Sequence, residues 1–295
     1  MTVAQMFGQT VLLWNGERML PATLSPRLKP RARGGPVGVT VGDDVQTEQD
    51  SSGALAVVSV APRRTQLARM SGNGRDVQVV AANAEQVVIV SSAAEPPFRH
   101  GLVDRWALLA RRGGIEPLLC LNKIDLVTSE EAERMIAEAA IPLRRVLVSV
   151  KTGDGIDDLR AVLRERASVL VGHSGVGKSS LLRLLVPEEQ IVTGELSVKS
   201  GKGRHTTSSA RLYAIPDGGM VIDTPGVRSV ALGETSAAEV ANVFPEIGDA
   251  SPCRFDTCTH RMEPGCSVLA GVGDGTIPRQ VYARYRKLLL EAEVP

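Results

Sequence analysis

The spacing of apolar positions divides the chain into three stretches. Up to about residue 77, short apolar runs at 11–14, 37–41 and 54–60 are separated by turn residues, among them Asn15-Gly16 and Gly42-Asp43-Asp44. Short strands broken by Gly, Asp and Asn predict a small antiparallel barrel. From 78 onward the runs lose their polar breaks, as at 86–90, 117–121 and 168–171. Uninterrupted apolar strands are what a parallel sheet covered on both faces requires. Between them, 104–112, 130–140 and 156–166 repeat apolar residues at helical spacing. Further strands are predicted at 145–150, 210–215 and 220–222, the last two around a turn at 216–219. Alternation of this kind predicts a doubly wound α/β sheet. After about Leu232 the strand signals stop, and 236–243 and 278–292 predict helices on either side of a cysteine-rich loop. The expected modules are 1–77, 78–232 and 233–295.

The strand at 168–171 runs into Gly172-His173-Ser174-Gly175-Val176-Gly177-Lys178-Ser179, a G-x-x-x-x-G-K-S pattern followed by a predicted helix over 179–185. Glycines let the backbone curl so that its N–H groups, including those toward Ser180, point at phosphates near a helix N-terminus. Lys178 would neutralise the β and γ phosphates, and Ser179 would ligate Mg²⁺. Asp223-Thr224-Pro225-Gly226 follows the strand 220–222; Asp223 would hold the metal through water, and the Gly226 N–H would meet the γ-phosphate.

Asn122-Lys123-Ile124-Asp125 ends another predicted strand and selects the base. Asp125 can accept from the N1–H and exocyclic amine of guanine, whereas adenine lacks that amine and turns a lone pair toward the carboxylate. A hydrogen bond to a charged group is worth about 1.5–3 kcal/mol, so two such contacts separate the bases by orders of magnitude. Lys123 would lay its stem along the base, Asn122 would tie neighbouring loops, and a backbone N–H in Ser149-Val150-Lys151 would meet guanine O6. The order is unusual: the guanine loop precedes the phosphate loop, whereas in ordinary GTPases it comes last. The parts are complete but rejoined, a circular permutation.

Val227 stands where a water-orienting glutamine often follows D-x-x-G, and it cannot polarise water. In the Gly-, Ser- and Lys-rich stretch before Asp223, Gly203-Arg204-His205-Thr206-Thr207-Ser208 has the composition of a switch loop. His205 is the candidate for positioning the attacking water and Thr207 for a second protein ligand of Mg²⁺; an exposed loop histidine is the plain alternative. Hydrolysis is expected to be slow until a partner orders this loop.

Cys253, Cys258, His260 and Cys266 fall within fourteen residues, a Cys₃His set typical of a closed, structural zinc site. Gly265 would allow the turn before the last ligand, and Cys120, alone in a buried strand, reads as core. The bulk numbers add limits. Net charge is +1, so nucleic-acid binding would need a local basic patch. One candidate is Arg27, Lys29, Arg31 and Arg33 at alternate positions, although on these residues alone a solvated loop is the plainer reading. Aromatics at 3% argue against extensive base stacking. No apolar run approaches the roughly 18–20 residues that span a bilayer, and no secretory signal is visible, so a cytoplasmic location with no membrane partner is expected.

Taken with these motifs, the chain resembles the ribosome small-subunit-dependent GTPase A family of bacteria over nearly its whole length. The match rests on N-K-I-D at Asn122, the phosphate loop at Gly172, G-R-H-T-T at Gly203, D-T-P-G at Asp223 and C-x₄-C-x-H-x₅-C at Cys253. Ser208 replaces a third Thr often found in the family. The resemblance implies an α/β fold: a circularly permuted P-loop GTPase domain with an N-terminal OB-type β-barrel and a small C-terminal α-helical zinc-binding domain. It also implies His205 as switch histidine, GTP with magnesium, one structural zinc, and a monomer. The small ribosomal subunit and its rRNA are the implied partners, stimulating hydrolysis late in subunit maturation. A signalling or translation-type GTPase shares the chemistry but is usually unpermuted. An RNA-binding barrel–zinc protein with a purely structural nucleotide is a different class. Because the chain leads from Asp223-Thr224-Pro225-Gly226 into the zinc module, GTP state is expected to be coupled to that module's grip on RNA.

Overall fold

The computed structural model describes residues 1–28, 38–49, 53–70, 76–138, 143–187, 210–216, 218–224 and 230–293. Five strands form the N-terminal barrel: β1 (Thr2–Phe7), β2 (Thr10–Trp14), β3 (Met19–Leu24), β4 (Val45–Gln49) and β5 (Leu55–Val60). They lie in the order β1-β2-β3-β5-β4. A Thr2↔Asp44 bridge and the Val3 N–H donating to Asp43 O (2.8 Å) bring the start of β4 back to β1 and close the barrel. Val3, Val11, Leu13, Ala22, Leu24, Val45 and Val57 fill it, the inward half of a period-two pattern. The strand expected at 37–41 does not form over its described part. Residues 38–40 are irregular, and the chain turns at Val41 and Gly42 because the buried Asp43 is gripped there. Its carboxylate accepts from the Thr40 N–H (2.8 Å) and takes both Nε and Nη2 of Arg63 (2.7 and 2.8 Å). Lys29, Arg31 and Arg33 lie outside the described residues, as does the side chain of Arg27.

A hairpin of β6 (Gln66–Met70) and β7 (Val77–Ala82) follows. It crosses the expected boundary at 77/78 and touches all three modules. Ala82 N–H donates to Val41 O, Gln66 N–H to Gly113 O, and Met70 N–H to Ala231 O, while a Cβ on Gly233 at the start of the third module would stand 2.8 Å from Met70 Sδ.

The central sheet contains β8 (Gln86–Ser92), β9 (Glu116–Asn122), β10 (Arg144–Leu147), β11 (Ala167–Val171), β12 (Arg211–Ala214) and β13 (Met220–Asp223). Their order is β10-β9-β8-β11-β13-β12; the first five are parallel and β12 is antiparallel. Helices α1 (His100–Arg112), α2 (Ser129–Glu138), α3 (Ile156–Leu163) and α4 (Lys178–Leu185) connect them. β8 is buried along its whole length, which explains its unbroken apolar run. From β8 the chain moves outward to β9 and β10, and from β11 it moves the other way to β13. The order therefore reverses between β8 and β11, the switch point at which α/β sheets bind ligands. β1 pairs with β12 through Gln5↔Arg211, so barrel and central sheet form one run of eleven strands.

The C-terminal part holds α5 (Ala237–Ala241), α6 (Pro245–Gly248), α7 (Ser267–Asp274) and α8 (Arg279–Ala292). A reciprocal capping box between Ser236 and Glu239 starts α5. These helices share a core with α1, in which Trp106, Phe244 and Tyr285 are fully buried.

Candidate functional site

Gly172 to Ser179 joins the end of β11 to the start of α4, as the motif requires. Gly172 has φ +150° and Gly177 +101°, and a Cβ on Gly177 would stand 2.2 Å from Asn122 Nδ2. That contact is the centre of the site. Asn122 is buried; its Nδ2 donates to Val176 O (2.9 Å), and its Oδ1 accepts from the N–H groups of Lys123 (2.8 Å) and Val150 (3.3 Å). One side chain thus joins the phosphate loop, the N-K-x-D loop and the Ser149–Lys151 loop. The Val150 N–H, a candidate for guanine O6, is met here by Asn122.

Asp125 Oδ1 accepts from Ser149 Oγ (2.6 Å), and Lys151 Nζ lies 3.9 Å from Oδ2. Lys123 takes a left-handed backbone (φ +63°), and its Nζ donates to the carbonyl of Glu95 in the β8–α1 loop. The Ile124 N–H donates to Val148 O (3.3 Å).

Lys178 is buried and donates to Gly172 O (2.8 Å). Burial pulls its pKa down, while the charge of Asp223 pulls the other way. Burial pushes Asp223 up to about 6 against the opposing charge of Lys178. Asp223 Oδ1 is buried with no hydrogen-bond partner, an acceptor suited to a hydrated cation. Ser174, Gly175, Ser179 and Ser180 are exposed, while the ring of half-buried His173 is turned so that Nδ1 lies 2.8 Å from Ser174 O. His205, Thr207 and Gly226 lie outside the described residues.

In the C-terminal module the ligand atoms of Cys253, Cys258, His260 and Cys266 all fall within 4.8 Å of one another. Cys253 Sγ is 3.8 Å from Cys266 Sγ, and His260 Nδ1 is 3.5 and 3.4 Å from those two sulfurs. A tetrahedral centre with metal–sulfur bonds of about 2.3 Å and a metal–nitrogen bond of about 2.0–2.1 Å sets its ligands about 3.5–3.8 Å apart, so the four donors fit one metal ion. Burial lowers the pKa of His260, favouring the neutral ring a metal needs. Tyr282 Oη donates to His260 O (2.7 Å) and Tyr285 Oη to Thr259 O (2.9 Å), which fixes the loop on α8. The Thr259 hydroxyl (2.6 Å) above all, with the N–H groups of Thr259 and Arg261, holds the Glu263 carboxylate well below the usual carboxylate range, and the Met262 N–H donates to it as well.

The arrangement agrees with comparisons to known proteins. The RsgA GTPase profile matches residues 60–233. The "Small ribosomal subunit biogenesis GTPase RsgA" of Saccharophagus degradans is 37% identical over 95% of this chain and 85% of its own length. The chain belongs to the RsgA GTPase family. A Pseudomonas fluorescens member with the same description is 42% identical over 85% of this chain and 74% of its own. Among solved structures, YjeQ from Thermotoga maritima superposes with a TM-score of 0.76 at 27% identity, covering 100% of this chain and 98% of that one. YloQ, described as a circularly permuted GTPase, gives 0.71 at 26% identity over 99% and 94%. The family fold is the one seen here: a permuted GTPase sheet, an OB-type barrel and a C-terminal module with a Cys₃His cluster.

Several contacts of the site escape a reading of motifs. Thr224 is buried and its Oγ1 donates to Leu170 O (2.7 Å), anchoring the D-x-x-G element to β11. The Glu95 carbonyl that holds Lys123 carries no side-chain signal at all. Tyr282 and Tyr285 stand three apart on one helix, a spacing that could have suggested a common face.

Proposed function

We propose that the chain hydrolyses GTP while bound to the small ribosomal subunit and its RNA, that the particle stimulates turnover, and that this serves late subunit maturation. The observation that carries the reading is Asn122, which joins guanine and phosphate loops at the switch point of the sheet. Family membership supplies the ribosomal context. In this reading Asp125 accepts from the guanine edge, and the N–H groups of Gly172 to Ser180 surround the phosphates. Lys178 exchanges its hold on Gly172 O for the β and γ phosphates. Ser179, Thr207 and Asp223, the last through water, would hold magnesium, which supplies charge neutralisation on the phosphates when bound. His205 positions the attacking water, and Gly226 senses the γ-phosphate. The Cys₃His centre takes one structural zinc, because four protein ligands leave no position for water. The working division is 1–77, 78–232 and 233–295, with the β6–β7 hairpin as junction. The protein acts as a cytoplasmic monomer; among the described residues no helix is long and apolar enough to cross a membrane.

The test is GTP turnover with and without purified small subunits, at several salt concentrations because phosphate contacts weaken with salt. Stimulation that falls with salt is expected; nucleotide binding without turnover under any condition would falsify the reading. His205→Ala should keep GTP affinity and lose stimulated turnover, and unchanged stimulation removes His205 from its role.

A further inference from the structure

A groove of about 760 Å³ lies between the start of α1 and one stripe of α8, with His173 of the phosphate loop on its wall. Its α8 side is Gln280, Ala283, Arg284, Lys287, Leu288 and Glu291, at the i, i+3, i+4, i+7, i+8 and i+11 positions of one helix face. Two carboxylates line it, and both are paired: Asp104 with Arg284, and Glu291 with Arg105 (2.7 Å). That leaves Arg99 and Lys287, both exposed, as cations without an ion-pair partner among the described residues, with the imidazoles of His100 and His173 nearby. The half-buried Phe98 and His100 rings meet edge to face, with centroids 4.8 Å apart. Only nine residues of this chain are Phe, Tyr or Trp, so an aromatic edge in the same groove as two exposed cations is an unusual concentration of recognition chemistry.

We propose that this groove receives an unpaired strand of small-subunit RNA, with Arg99 and Lys287 on its phosphates and a base against Phe98 and His100. The volume suits a ligand the size of one or two nucleotides. Unstacked bases are commonly held on aromatic side chains with cations on the backbone. An acidic peptide would satisfy the cations but leave the aromatic edge without a stacking partner. The start of α1 adds its own positive end, since Arg99 makes no side-chain cap there. RNA seated here would touch the loop that holds GTP phosphates, giving the particle a direct route to the nucleotide. The inference rests on the proposed function and names the surface through which it works.

The test combines charge reversal with crosslinking in the full chain. Arg99→Glu with Lys287→Glu should weaken small-subunit binding at least roughly tenfold and flatten its salt dependence by about two phosphate contacts. Affinity for a fluorescent GTP analogue should stay at the wild-type value, which shows that the fold survives; Lys287→Gln is a milder second variant and should weaken binding in the same direction. A photo-crosslinking amino acid at Gln280 should attach to rRNA. Wild-type subunit affinity in the charge variants, or crosslinks only to ribosomal protein, or none, overturns the groove while leaving the parent reading intact. If the wild-type protein itself neither binds nor responds to subunits, both readings fall.

Discussion

Asn122 shows how much one side chain can organise. Its amide group spans three loops, and each partner is a backbone group. Asn122→Ala is expected to weaken GTP binding by about 1–3 kcal/mol, roughly five- to 150-fold in Kd, by nucleotide titration. An effect below twofold would show that the loops hold themselves. Gly177→Ala addresses the same contact from the other side. A methyl at φ +101°, 2.2 Å from Asn122 Nδ2, strains the backbone and displaces the tie. GTP binding should fall by more than about a hundredfold, taking a displaced contact and left-handed strain together, with the circular dichroism spectrum unchanged. These residues were legible as motif letters because the chemistry of N-K-x-D and G-x-x-x-x-G-K-S is local. The mutual contact between the two loops was expected in kind but had no partner named, since Asn122 and Val176 are 54 residues apart.

At the scale of elements, α1 is the post on which the C-terminal module stands. Arg105 pairs with Glu291, Arg112 with Glu239 (2.9 Å), and the Arg111 Nη1 donates to the Asn242 carbonyl. The deepest of these pairs is Asp104 with Arg284, with side chains 3% and 14% exposed. Burial, only partly offset by Arg284, pushes Asp104 from 3.8 up to about 6. The folded chain therefore binds more protons than the unfolded chain between those values. The Asp104 contribution to stability rises as pH falls through that window, by up to about 1.4 kcal/mol per pH unit. Asp104→Asn lacks this titration, so the stability difference should move in favour of wild type between pH 7 and pH 5 in denaturant unfolding. A difference that stays level or shrinks contradicts the assignment. α7 depends on the Cys₃His cluster more directly, because Cys266 is both a ligand candidate and the cap that accepts from the Leu269 N–H. Removing metal with a chelator, or Cys266→Ala, should raise amide exchange across α7 and the adjoining loop while GTP binding persists. Equal protection with and without chelator would mean that the loop is held by Tyr282, Tyr285 and Glu263 alone. Neither α6 nor α7 was visible as a helix signal: the first has four residues, and the second carries two glycines.

For the whole molecule, the connections between modules matter most, and they run along more than one path. The chain leaves Asp223 toward the C-terminal module, as the permuted order implies. A second path runs from Lys123 through the Glu95 carbonyl into α1 and across to α8. The permuted chain order therefore does not link the nucleotide site to the C-terminal module by itself. The GTPase family was readable from residue order, because phosphate, guanine and metal recognition each need specific atoms at short, fixed spacing. The βα alternation was readable too, because a strand buried on both faces is built mainly of apolar residues. What the linear chain could not carry was how the modules meet. β1 joins β12 across two hundred residues, the β6–β7 hairpin bridges three modules, and Asp104 finds Arg284 at a separation of 180. Those contacts form between single residues with no repeating pattern, so they become defined only when the packed core brings distant surfaces together.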